Sequence, residues 1–135
     1  MADMDFDKFM AALCIWREAR GTTEQAMAAI YWVLMNRVAD PRWPNTLEEV
    51  VTQPYQFSSF NTNDPNAVKL PSRRNKTDWT AFQSVLHAID GATSIGGDPT
   101  QGANHYESCE PGKLPAWAQQ SKLTVQIGPF RFYKL

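Results

Sequence analysis

One carboxylate in the sequence stands where acid–base chemistry is easy to arrange. Glu18 lies in Trp16-Arg17-Glu18-Ala19-Arg20-Gly21, just past an apolar run from Phe9 to Trp16 whose flanking charges are Lys8 and Arg17. Three influences there favour the protonated acid: an apolar helix behind it, the negative end of that helix's dipole, and a position in a cleft. A carboxylic acid that stays neutral near pH 7 can give its proton to a leaving group. The competing reading is a solvated helix end at which Glu18 pairs with Arg17 or Arg20. Spacing alone does not separate the two.

Two further stretches carry groups suited to a polar ligand. Gln53-Pro54-Tyr55-Gln56-Phe57-Ser58-Ser59-Phe60 mixes rings with amides and hydroxyls. That suits a sugar, with rings against pyranose C–H faces and polar groups on hydroxyls. It fits equally a partly buried strand or turn with Tyr55, Phe57 and Phe60 in the core. The second stretch, Gly96 to Tyr106, is dense in glycine and contains Pro99. Such a segment makes tight turns that place side chains, here His105 and Tyr106, as donors into a cleft. Glu24, Asp64 and Asp98 are candidates for a second acid, in settings less suggestive than that of Glu18. No phosphate-binding glycine loop, Gly-x-Ser-x-Gly elbow, His-Glu-x-x-His or Cys-x-x-Cys pattern is present. No cofactor and no metal site is therefore expected.

The elements that must position these groups are mostly helical. A first helix over about 5–20 places Phe6, Phe9, Met10, Leu13 and Trp16 on one face, with Ala11, Ala12, Ile15 and Ala19 on the other. A helix apolar nearly all round belongs in the middle of a fold. Gly21 is placed to end it in the left-handed conformation, and Thr22-Thr23-Glu24-Gln25 has capping-box spacing for a second helix over about 23–39. That helix carries Met27, Ile30, Tyr31, Leu34 and Val38 inward and ends at Asp40-Pro41. Near its far end Asn36 and Arg37 are suited to bonding loop carbonyls. Thr46-Leu47-Glu48-Glu49 starts a short helix to about Thr52. Residues 61–76 read as a surface loop, and a further helix, capped by Thr77 or Asp78, directs Trp79, Phe82, Val85, Leu86 and Ile89 inward before Gly91. His87 lies one position off that stripe, the place of a structural histidine. Alternation in Leu123, Val125, Ile127 and again in Phe130, Phe132 across Gly128-Pro129 predicts a terminal hairpin.

The totals exclude several classes. A chain of 135 residues, 43% hydrophobic and 20% charged, fits one globular domain with its own core. The longest apolar run, Ala26 to Met35, is too short for a bilayer. A net charge of -1 argues against bulk attraction to nucleic acid or lipid, so neither partner is expected. The charge is uneven, however: residues 1–67 carry five Lys/Arg against nine Asp/Glu, and residues 68–135 carry eight against five. Arg73, Arg74 and Lys76 cluster in the basic half, as a solvated loop or as a contact for an anionic polymer. The acidic start, Met1 to Asp7, has no basic region of an export signal, and Cys14 and Cys109 are expected to be reduced.

Several separated segments together resemble one family. Glu18-Ala19-Arg20-Gly21, the helix through Gln25, Ala28 and Asn36-Arg37-Val38, Trp43-Pro44-Asn45-Thr46, Gln56-Phe57-Ser58, Asp98-Pro99-Thr100-x-Gly102-Ala103-x-His105-Tyr106, Pro115-x-Trp117-Ala118 and Ile127-Gly128-x-x-Arg131-Phe132-Tyr133 are similar to the cell wall hydrolases typified by spore cortex-lytic enzymes. The resemblance runs in order over nearly the whole chain. It implies an α+β, predominantly α, lysozyme-like single domain over residues 1–135, with a short β-hairpin and a glycan groove. The reaction it implies is cleavage of peptidoglycan between N-acetylmuramic acid and N-acetylglucosamine, of the lytic transglycosylase type, with Glu18 as acid and then base. Gln56, Ser58, His105 and Tyr106 would line the groove, Tyr106 bonding Glu18. A hydrolytic muramidase with a second carboxylate, and a silent glycan-binding or structural module, are the alternatives. Unlike family members that carry an export signal and a wall-binding domain, this chain shows neither. The expectation is a monomeric phage endolysin that waits in the host cytoplasm, makes no stable membrane association, and acts on the wall in the periplasm.

Overall fold

The computed structural model describes residues 6–53, 57, 69–94, 96–108 and 114–135. Four helices come first in the chain: α1 (Phe6–Ala19), α2 (Glu24–Val38), α3 (Leu47–Thr52) and α4 (Lys76–Ser94). A three-stranded sheet follows, β1 (His105–Glu107), β2 (Leu123–Ile127) and β3 (Phe130–Tyr133). All pairings are antiparallel, in the order β1-β3-β2. The architecture is thus α+β and predominantly α, with β1 added to the hairpin that alternation predicts.

The first helix is the spine of the core. Residues 11–17 and Ala19 are all buried, enclosed by α2, α3 and α4. Glu18 is the one position in that stretch with open surface. A glycine with φ +86° ends the helix at Gly21, a conformation that costs L-residues with a Cβ about 1–2 kcal/mol. Thr22 Oγ1 donates to the Ala19 carbonyl at 2.6 Å and closes α1, so the cap of α2 falls to Thr23, whose Oγ1 accepts from Ala26 N at 3.1 Å. The cap therefore stands one residue later than the capping-box spacing predicts, and with Ala26 three positions on from Thr23 it is a simple threonine cap and not a capping box. At the next helix Thr46 Oγ1 accepts from Glu49 N at 3.2 Å and donates to its carboxylate at 2.9 Å, as the sequence suggests.

Two boundaries of α4 differ from expectation. Asn75, not Thr77 or Asp78, is its cap, with Oδ1 accepting from Asp78 N at 3.1 Å. Gly91 does not end it: the helix continues to Ser94, because Ala92 is still buried against the core and one internal glycine costs only about 1 kcal/mol. Across the β2–β3 turn Gly128 has φ +56°, and a Cβ there would stand 3.2 Å from Ala26 Cβ. The hairpin is thus pressed onto the first turn of α2.

Candidate active site

The polar floor of the site is made by the far end of α2. Asn36 Nδ2 donates to Ala103 O at 2.9 Å and to Asp98 Oδ2 at 2.8 Å. Arg37 is 4% exposed and donates from Nε to Asn104 O at 2.7 Å, its guanidinium lying 5.3 Å from the ring centres of both Trp43 and Phe57. These two side chains bind the loop that leads into β1. Asp98 organises the same loop, accepting from Thr100 N, Thr100 Oγ1 and Gly102 N at 2.8, 2.7 and 3.0 Å. Burial opposes its charge, but hydrogen bonds from Thr100, Asn36 and Gly102 prevail and hold its carboxyl below the usual range. Asp98 is a loop cap, not an acid facing Glu18.

From this loop β1 sends successive side chains to opposite faces. Tyr106 turns inward, its ring 5.4 Å from Phe130, 6.1 Å from Phe132 and 6.5 Å from Phe57. Its phenol lies in the electrostatic field of Cys14, Glu18 and Arg37. Burial first, then the neighbouring Cys14 and Glu18, push the phenol well above its ordinary pKa, so it stays a protonated donor. Cys14, one turn before Glu18 on α1, is a free buried thiol raised by burial and then by Glu18. Burial lowers the pKa of Arg37, while Tyr106 and Cys14 act to raise it.

Four segments therefore converge: the end of α1 with Cys14 and Glu18, α2 with Arg37, Phe57, and β1 with Tyr106. Glu18 is half-buried above a thiol and a phenol that both hold their protons. Both neighbouring arginines also bond backbone carbonyls. Arg17 Nε and Nη2 donate to Lys69 O at 3.0 and 2.8 Å, and Arg20 lies 4.5 Å from the Trp16 ring with Nη1 donating to Trp16 O at 3.2 Å. Tyr106 lies close enough to Glu18 for the carboxylate to act on its phenol through space, with its ring held among three phenylalanines.

The remaining predicted residues divide. His105 sits on the face of β1 opposite Tyr106, its ring 4.8 Å from Trp117 and 5.9 Å from Trp43. The structure does not bring it to Glu18. Leu135 N and O fix the Asn104 amide, donating to Oδ1 and accepting from Nδ2 at 3.0 Å each. Oδ1 therefore faces His105 Nδ1 at 2.7 Å, which assigns the ring proton to Nδ1. Burial, then Arg37 and Arg42, lower its pKa to about 4, so His105 is neutral near pH 7. Gln56, Ser58, Asp64 and Cys109 lie outside the described residues. Glu24 is at an exposed surface, 3.0 Å from His87 Nδ1.

Sequence reasoning overlooked Glu107. Its side chain is 8% exposed and accepts from Arg131 Nε and Tyr133 Oη, each at 2.7 Å, on the outer face of the sheet. The signal was the alternation of His105-Tyr106-Glu107 against Phe130 to Tyr133, readable only once the register Glu107↔Arg131 is known.

This is a small helical domain in which a half-buried carboxylate at a helix end lies near the inward-facing tyrosine of a short antiparallel sheet. The sequence profile of the cell wall hydrolases matches residues 21–133, and the chain belongs to that family. The match begins at Gly21, three positions after Glu18, so Glu18 lies just outside it. Spore cortex-lytic enzymes are similar: that of Bacillus subtilis is 30% identical over 123 residues, 91% of this chain and 36% of that protein. That of Halalkalibacterium halodurans is 29% identical over 102 residues, 76% of this chain and 27% of that protein. The chain thus spans about a third or less of these relatives. Among solved structures, the catalytic domain of the germination-specific lytic transglycosylase SleB from Bacillus anthracis is 27% identical, with TM-score 0.69 and 98% of each chain covered. The catalytic domain of the Bacillus cereus SleB protein is 25% identical, with TM-score 0.70, covering 99% of this chain and 94% of that one.

Proposed function

We propose that this chain cleaves peptidoglycan glycan strands between N-acetylmuramic acid and N-acetylglucosamine as a lytic transglycosylase, with residues 1–135 acting as one catalytic unit. The observation that carries the reading is the half-buried Glu18 at the end of an otherwise buried helix, above the protonated Cys14 and Tyr106. The relation to solved catalytic domains over nearly the full chain supports it. In this mechanism Glu18 gives its proton to the glycosidic oxygen as the bond breaks. The resulting carboxylate then takes the proton of the muramyl 6-hydroxyl, which closes on the anomeric carbon to form a 1,6-anhydro ring. One carboxylate serves both steps, and among the described residues Asp98 and Glu24 are engaged elsewhere.

Clearing of a peptidoglycan suspension tests the assignment. Glu18→Gln keeps the shape and removes the transferable proton, so turnover should fall about 10²–10⁴-fold. Equal clearing by both proteins refutes the assignment of Glu18. Mass spectra of the fragments should show anhydromuramyl ends; reducing ends alone would replace transglycosylation by hydrolysis. We place the activity in a monomeric phage endolysin, held in the host cytoplasm with Gln56 and Ser58 on the groove. Expressing cells should then lyse only after their inner membrane is permeabilised.

A further inference from the structure

The basic cluster around Arg73 has no role in the acid–base chemistry, yet the fold brings it to the catalytic end of α1. The carbonyl of Lys69 receives both bonds from Arg17, the residue before Glu18. From there the chain turns at Ser72, whose Oγ accepts from Arg74 N at 3.2 Å and whose carbonyl accepts from Asn75 N at 3.0 Å. That turn displays Arg73 and Arg74 before Asn75 caps α4, and Arg73 lies 5.3 Å from the Trp79 ring. Lys69, Arg73, Arg74 and Lys76 are all exposed. Among the described residues none of the four forms an ion pair, and Arg20 adds a fifth cation at the same helix end. Asp78 is the one acidic residue in the first turn of α4.

Beside this wall is a cleft of about 510 Å³ with a mainly apolar lining, in which Met27 and Ala81 stand beside Lys76 and the hydroxyl residues Thr22, Thr77 and Thr80. Apolar carbons, hydroxyls and a lysine together line a space within the range of ligand pockets, roughly 300–1,000 Å³. It opens three residues along the chain from Glu18. Exposed cations beside a cleft that mixes apolar and hydroxyl lining complement an extended chain bearing carboxylates and small apolar side chains.

We propose that this cleft and its basic wall receive the short peptide carried on the lactyl group of the muramyl sugar, and that they make the enzyme selective for peptide-bearing strands. Its nearness to Glu18 favours a group attached to the substrate itself over a separate phosphate polymer. The proposal deepens the glycan-cleavage reading and rests on it.

Binding of the Glu18→Gln protein to cell walls tests it. Intact walls are compared with walls stripped of stem peptides by an amidase, and with walls stripped of phosphate polymers by hydrofluoric acid. Intact and phosphate-free walls should bind about 30-fold more tightly than peptide-free walls, given three exposed charge contacts of about threefold each. Adding Arg73→Ala, Arg74→Ala and Lys76→Ala should reduce binding of intact walls to the peptide-free level and remove most of its salt dependence. Equal binding to intact and peptide-free walls overturns the proposal. So does a loss on phosphate removal alone, or a triple variant weakened equally on every wall. Failure of the underlying reading has a separate signature, the absence of glycan cleavage by the wild-type enzyme on any of the walls.

Discussion

Replacing Asn36 by alanine should loosen the loop that carries Tyr106 while leaving Glu18 and Tyr106 themselves unchanged. The side chain gives two bonds, one to the charged Asp98 at 2.8 Å and one to the Ala103 carbonyl at 2.9 Å. A bond to a charged acceptor contributes about 1.5–3 kcal/mol and one to a neutral carbonyl about 0.5–1.5 kcal/mol. Their sum, roughly 2–4 kcal/mol, shrinks because Asp98 is partly open to water and its lost donor can be replaced; about 2 kcal/mol is the expected cost. For a chain of this size that is a fall in Tm of about 6–10 °C. Urea titration should show a lower midpoint at unchanged slope. A double-mutant cycle with Asp98→Ala should give a coupling of about 1–2 kcal/mol, since one bond is shared. Strictly additive effects, or a cost under about 0.5 kcal/mol, would refute the view that Asn36 and Asp98 together hold this loop.

Other outcomes follow from single contacts. Tyr106→Phe keeps the ring against Phe57, Phe130 and Phe132 and removes only the phenol, so turnover should drop about 10-fold while Tm moves by at most a degree or two; unchanged turnover reduces Tyr106 to scaffold. His105 has a folded pKa of about 4, below its ordinary 6.5, so the unfolded chain binds the proton first as pH falls. Its contribution is whole above pH 6.5 and is lost between 6.5 and 4. Because the ring is partly exposed the loss is about 1–2 kcal/mol, and His105→Asn should flatten urea midpoints over that window. Gly128→Ala forces a side chain into φ +56° and to 3.2 Å from Ala26 Cβ, and should cost about 1–3 kcal/mol by the same titration; a neutral result would mean the hairpin is not held there.

What could be read from the sequence was whatever depends on neighbours along the chain. The apolar periodicity of α1, the stop at Gly21, the Thr46 cap and the hairpin at Gly128-Pro129 are local signals, and each stands where it was read. Boundaries decided by tertiary burial were misread, as at Gly91, where Ala92 against the core carries α4 past a glycine. The strand β1 was missed because three residues in a glycine-rich stretch have no period; only pairing with β3 makes them a strand. Glu18 was legible as the acid candidate from its apolar surroundings. Its companions Cys14, Arg37 and Tyr106 were not legible as a group, since they meet through the packing of α1, α2 and the sheet. His105 and Tyr106 looked alike as neighbours on a loop, and strand alternation separated them.

The burial pattern of α1 also sets what mutation can do to this protein. A helix buried at residues 11–17 and at Ala19 has one outlet, Glu18. In a saturation scan sorted first for folding and then for lysis, substitutions at the buried positions should be removed by the first sort. Position 18 alone along that stretch should pass folding in many forms and fail lysis in nearly all of them. Variation in specificity is correspondingly left to the segments around the helix end, where the Ser72 turn can change without disturbing the core.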